Sequence, residues 1–215
     1  MDVVKDITKD GRPVTLVATG DGTTEFSKLG AFSKHYNGKK VLWFPEKPKY
    51  AHFSRRSHFQ NQRIGGLDVL EVLTVYPGAY KLHRYLFIID REHFGGNPTN
   101  DIIEKLNRLR IVIESIEELS VGAFYIFCNY GSHELGVYIA ISGKERCIEE
   151  DLAMLIKLEY GSDVQPTKND IRRFLRSTGL KDKELIRNAT KTNLRKAFPN
   201  LSSALMRIEK NNSES

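Results

Sequence analysis

Apolar residues fall along this chain in short clusters of two kinds of spacing, and the alternation between them predicts strands interleaved with helices. Residues 1–12 are polar and are expected to be loose. Pro13-Val14-Thr15-Leu16-Val17-Ala18 is a compact run with strand character, and Thr19-Gly20-Asp21-Gly22-Thr23-Thr24 after it is a glycine-punctuated turn. From Glu25 to about Tyr36 the residues Phe26, Leu29, Phe32 and Tyr36 recur three or four apart, which is one face of a helix. Asn37-Gly38 stops it, and Val41-Leu42-Trp43-Phe44 predicts a second buried strand. Strand, helix, strand in that order is the unit that builds parallel sheets.

Pro45 to Gly66 has no clear period. Leu67 to Tyr76 predicts a strand ended by Pro77-Gly78, and Arg84 to Ile89 another, whose run Leu86-Phe87-Ile88-Ile89 has the apolar continuity of a strand buried on both faces. After Gly95-Gly96-Asn97-Pro98, the positions Ile102, Ile103, Leu106, Leu109, Ile113, Ile116 and Leu119 predict one long helix capped by Thr99 or Asn100. Strands are expected from Ala123 to Cys128 and from Leu135 to Ile141, joined by a hairpin loop at Tyr130-Gly131-Ser132-His133. A helix from Cys147 to Tyr160 ends at Gly161. The remainder predicts helices over about 167–177 and 181–197 and a last turn or two over 200–210, jointed at Pro166, Gly179 and Pro199. The fold class expected is therefore α/β: a mainly parallel central sheet with helices on both faces, over residues 13–161, and a basic helical C-terminal extension over residues 162–215.

Composition narrows this only a little. A chain of 215 residues with 40% hydrophobic content can hold one generous domain. No run approaches the ~20 apolar residues of a membrane helix, and the start has no apolar stretch behind a basic end, so a cytoplasmic protein without a membrane partner is expected. Cys128 and Cys147 have no metal-ligand spacing and no disulfide framework. There is no P-loop, no dinucleotide-binding glycine fingerprint and no zinc-type Cys/His pattern. Ser132-His133-Glu134 places three catalytic residue types in a row, but such roles are assembled across a fold rather than along a loop. The formal charge of +6 suits a polyanion partner. The excess gathers in residues 47–63, where Arg55 and Arg56 lie among Tyr50, Phe53 and Phe59, and in the tail, where Arg172 and Arg173 lie.

The candidate chemistry is acidic. Asp90 and Glu92 close the strand that begins at Arg84, and alternation along a strand would point both the same way, with Arg91 elsewhere. Asp21 and Glu25 stand where the first strand passes into the first helix. If those two strands are parallel neighbours, all four carboxylates reach one edge of the sheet, where α/β folds place ligands. Clustered hard oxygen donors there suit Mg²⁺ or Mn²⁺.

A strand followed by an acid-glycine turn, with a later strand ending in paired acids, resembles the Toprim domain shared by topoisomerases, bacterial primases, OLD-type nucleases and small stand-alone proteins. Asp21 and Gly22 match the family's Glu-Gly, Thr24 and Glu25 its trailing Thr-Glu, and Asp90 and Glu92 its Asp-x-Asp. Asp21 is one methylene shorter than the family's residue and Glu92 one longer. Ile148-Glu149-Glu150-Asp151-Leu152 is similar to the acidic helix start of some small members. The resemblance covers about residues 13–160 and implies Asp21, Glu25, Asp90 and Glu92 as metal ligands and catalytic residues, with nucleic acid, DNA or RNA, as substrate. The chain has no room for a topoisomerase's tyrosine domain or a primase's further domains, so the expected function is a metal-dependent nuclease. Two alternatives stand beside it. One is a non-catalytic nucleic-acid- or protein-binding module of degenerate Toprim-like shape. The other is a PD-(D/E)xK-type nuclease, for which no convincing Glu-x-Lys follows the acid.

Overall fold

The computed structural model describes residues 1–5, 13–20, 25–36, 40–44 and 65–211, with the backbone alone for residues 25–27. Seven strands form one sheet: β1 (Asp2–Val4), β2 (Val14–Thr19), β3 (Val41–Trp43), β4 (Arg84–Asp90), β5 (Val112–Ser120), β6 (Ala123–Tyr130) and β7 (His133–Ser142). Their spatial order is β1-β3-β2-β4-β7-β6-β5. The pairs from β1 across to β7 are all parallel, and β6 pairs antiparallel with both β7 and β5. The chain is thus α/β with a mostly parallel sheet. β4 occupies the middle, and Leu86, Phe87 and Ile89 are wholly buried there, as an unbroken apolar run requires.

The helices are α1 (Glu25–Ser33), α2 (Tyr76–Tyr80), α3 (Pro98–Arg108), α4 (Ile148–Tyr160), α5 (Lys168–Thr178), α6 (Asp182–Asn188), α7 (Lys191–Ala197) and α8 (Pro199–Lys210). Alternate strand positions feed two apolar clusters. Val17, Leu86, Ile88, Tyr138 and Ala140 join residues of α1 and α4 to α8. Leu16, Phe87, Ile89, Val137 and Ile139 join residues 69–76 and Ile102 and Leu106 of α3. No helix among the described residues is long and apolar enough to cross a membrane.

Several expectations need correction. Residues 2–4 are not loose: they form β1 on β3, and the buried Met1 ammonium donates to the carbonyls of Ser33 and Tyr36 at 3.0 and 2.7 Å. This places positive charge where helix α1 ends, its favoured position. The strand expected over residues 67–76 is instead a 3₁₀ helix, Gly66–Thr74, running into α2. Its period is three: Leu70 and Leu73, and likewise Val69 and Val72, are buried, while Asp68 and Glu71 face the Lys105 ammonium at 2.6 and 3.0 Å. The long helix after Pro98 ends at Arg108, and its N-cap is Asn97, whose side chain accepts from the amides of Thr99 and Asn100. Residues 112–120 are strand β5. The helix expected over 181–197 is two, because Ala189 is extended and Thr190 caps α7. The last turn or two is α8, three turns long in twelve residues.

Candidate active site at the carboxyl edge of the sheet

β2, β4 and β7 lie side by side and parallel, so their carboxyl ends share an edge. The register sets what meets there. Thr19 pairs with Ile88, and the next amide, Gly20, donates to the Ile88 carbonyl at 3.0 Å. Asp90 pairs with Ser142. The described chain therefore stops, at Gly20, beside the strand that ends in Asp90. Asp21 itself lies outside the described residues, as do Arg55 and Arg56. Glu25 is the first residue of α1.

Asp90 is the last residue of β4 and is partly buried. Its Oδ1 accepts from the amide of Ile148, the first residue of α4, at 3.2 Å. A carboxylate at a helix start is doubly favoured, by the free amide and by the helix dipole. Glu92 is not on the strand. Arg91–His93 is a 3₁₀ turn, so strand alternation does not carry Glu92 to the side of Asp90. The Glu92 amide donates to the Arg146 carbonyl at 2.8 Å, and its carboxylate is 3.9 Å from Arg146 Nε. At that distance, with both side chains well exposed, the pair is weak.

Two further carboxylates hold the next strand end. After β7, the amides of Lys144 and Glu145 donate to Glu150 Oε2 at 2.6 and 2.8 Å, and the Gly143 amide donates to Asp151 Oδ2 at 2.9 Å. Loss of hydration pushes the Asp151 carboxyl up to about 8, with smaller contributions from the Glu150 and Asp90 charges, opposed by the Gly143 hydrogen bond. Glu149 is buried, 3.9 Å from Lys168 at the start of α5. Burial, and then Glu149, push the neighbouring Cys147 thiol up to about 12, so it carries no thiolate at neutral pH. Among the described residues, no three His, Cys, Asp or Glu side chains are grouped so that they could hold a metal ion. Compared with protein-family models, curated proteins and solved structures, the chain matches none.

Gly66 approaches the same edge. The Gly66 amide donates to the Gly20 carbonyl at 3.1 Å. Gly66 has φ +57°, and a Cβ there would come 2.9 Å from the His93 ring, so backbone and imidazole touch directly. Gly65 and Gly66 resume the described chain after the basic, aromatic segment 45–64, and that segment leaves from Phe44, just past the carboxyl end of β3. Arg172 and Arg173 lie on α5, exposed, with Ile171 and Leu175 buried beneath them; Arg173 pairs with Asp170 at 3.0 Å. The sequence pattern leaves one feature out, a cleft of about 530 Å³ beside the ends of β4 and β7, reached by Val121, Lys144, Met154 and Lys196. Only its exposed apolar members could have signalled it: Val121 stands in a two-residue turn between strands and is 92% exposed.

Proposed function

We propose that the chain is a divalent-metal-dependent phosphodiesterase acting on nucleic acid in the cytoplasm, most simply a nuclease, on a Toprim-like sheet with helices on both faces. The observation that supports it best is the β2–β4 register, with the Gly20 amide on the Ile88 carbonyl at 3.0 Å. It brings the exit toward Asp21 and Glu25 to the strand that presents Asp90. The donor chemistry fits a hard cation: carboxylate oxygens, with Asp90 fixed by the Ile148 amide and Glu92 held only loosely by Arg146. In this reading Asp21, Glu25, Asp90 and Glu92 hold Mg²⁺ or Mn²⁺, and the ion, when bound, neutralises charge developing on a phosphodiester under attack. Arg55, Arg56, Arg172 and Arg173 hold flanking phosphates.

The test is incubation of labelled single- and double-stranded DNA and RNA with the protein in Mg²⁺, Mn²⁺ or EDTA. Cleavage that needs the metal and falls at least about 100-fold in Asp90→Ala is the expected result, since even partners one shell out from a metal cost 10–100-fold. No cleavage of any substrate, or cleavage indifferent to Asp90→Ala, would overturn the proposal.

A further inference from the structure

The cleft beside the carboxyl edge begins one residue beyond each of two strand ends. Arg91 follows Asp90 of β4, and Gly143 follows Ser142 of β7; both line it. Its volume of about 530 Å³ is in the range of small-ligand sites. The lining has two chemistries. Val121, Met154 and Pro199 offer apolar surface, and the first two are among the few large hydrophobic side chains the described chain leaves exposed, at 92% and 47%. Arg91, Lys144 and Lys196 supply positive charge, and none of them makes an ion pair among the described residues, though the Arg91 guanidinium donates to the carbonyls of Phe94, Gly95 and Gly96. Of the three acids of the cleft, Glu150 accepts two backbone amides, Asp151 accepts the Gly143 amide and stays largely protonated at neutral pH, and Glu145 stands exposed beside Lys144. What remains is an apolar floor with a mixed rim on which the three cations outnumber the charged carboxylates of Glu145 and Glu150.

We infer that this cleft takes one unpaired nucleotide of a single-stranded nucleic acid, its base against Val121, Met154 and Pro199 and its phosphate toward Lys144 and Lys196. A base has an apolar face of the right kind for such a floor, and the phosphate meets the unpaired ammonium groups. Because Arg91 directly follows Asp90, an occupant of the cleft carries the adjoining phosphate to the end of β4. This selects single strands over duplexes, since a stacked, paired base cannot enter. The inference deepens the nuclease reading by naming its substrate class.

Binding without catalysis separates the two. The full chain, in EDTA, is titrated into a fluorescein-labelled 12-nucleotide single strand and into a duplex of the same length, and anisotropy is followed. The single strand is expected to bind at least tenfold more tightly. Met154→Asp and Lys196→Glu, both at exposed positions, are each expected to weaken it about tenfold with unchanged circular dichroism. Equal affinity for strand and duplex, or wild-type binding by both cleft variants, would overturn the inference. Tight single-strand binding without cleavage in Mg²⁺ would overturn the nuclease reading and leave this one standing.

Discussion

Asp90 has one job in this structure and a second under the proposed function, and the two respond differently to substitution. As an acceptor for the Ile148 amide it fixes the start of α4, a role an asparagine oxygen can fill. As the proposed metal ligand it must carry charge, which asparagine lacks. Asp90→Asn is therefore expected to keep stability within about 0.5 kcal/mol, and Asp90→Ala to lose about 1 kcal/mol. Both variants should lose metal-dependent cleavage. Urea unfolding beside a cleavage assay checks this, and an active Asp90→Asn would confine the residue to its capping role. Asp151 gives a second residue-scale expectation. Its folded pKa, about 8, lies above the ordinary carboxylate value, so the folded chain holds a proton that the unfolded chain releases as pH rises from about 4 to 8. Stability from this group is full at low pH and is lost across that window. Asp151→Asn, which keeps an acceptor for Gly143, should match wild type near pH 4 and exceed it by about 1–3 kcal/mol at pH 9, where the buried charge is otherwise uncompensated. Denaturant midpoints across pH read the difference. Asp90 was legible from sequence because an acid ending an apolar strand is conspicuous. The state of Asp151 was not, because an acid in a helix's first turn looks the same whether it is hydrated or enclosed.

Elements were legible where period and composition agreed. β4 and β7 are such cases, with apolar runs bounded by polar turns. β5 misled because Ile113 and Ile116 are three apart, a helical interval, yet both pack on the same side of a strand. The reason is a register shift between Ile113 and Ser115: the extra residue of a bulge lets positions three apart share a face. The 3₁₀ segment at 66–74 misled in the opposite way, since its valines favour a strand while its true period is three. The link between β7 and α4 depends on one residue. Gly143 has φ +75°, and a Cβ there would stand 2.4 Å from the Cys147 carbonyl oxygen. Gly161, at the end of α4, also has positive φ, +66°, but opens onto empty space. Gly161→Ala should thus cost only the left-handed backbone penalty, about 1 kcal/mol. Gly143→Ala must add steric displacement of the loop that holds Glu150 and Asp151, and should cost at least about 2 kcal/mol more. Equal unfolding midpoints for the two variants would contradict this account of the loop.

At the scale of the molecule, the tail that composition marks as a basic extension contributes Ile171, Leu185, Ile186, Leu194, Leu205 and Ile208 to the same cluster as Val17, Leu86 and Tyr138 of the sheet. Its sequence shows both aspects at once: Lys168, Arg172, Arg173 and Arg176 of α5 are exposed, while Ile171 and Leu175 turn inward. Only the outward aspect is visible in net charge, so partnership with the sheet is hard to see without the fold. α8 lies against β5, β6 and β7, with Arg207 donating to Glu117 of β5 at 2.8 Å and Asn211 to the Tyr138 hydroxyl at 2.8 Å. α6 packs on α1, whose first residue is Glu25. Removing the tail would strip one apolar cluster of much of its wall and leave buried sheet residues such as Leu86 and Tyr138 facing water. At ~25 cal/mol per Å² of apolar surface, several such side chains outweigh the 5–15 kcal/mol of a typical domain's stability. A chain ending at Gly161 is therefore expected to show no cooperative urea transition and to bind a hydrophobic dye. Leu205→Ala in the full chain should keep a sharp transition, lowered by about 2–5 kcal/mol. If the shortened chain unfolded as sharply as the full one, the tail would be a separable attachment; the edge holding Asp90 would then owe nothing to it, and the tail's arginines would act from outside the domain rather than from its wall.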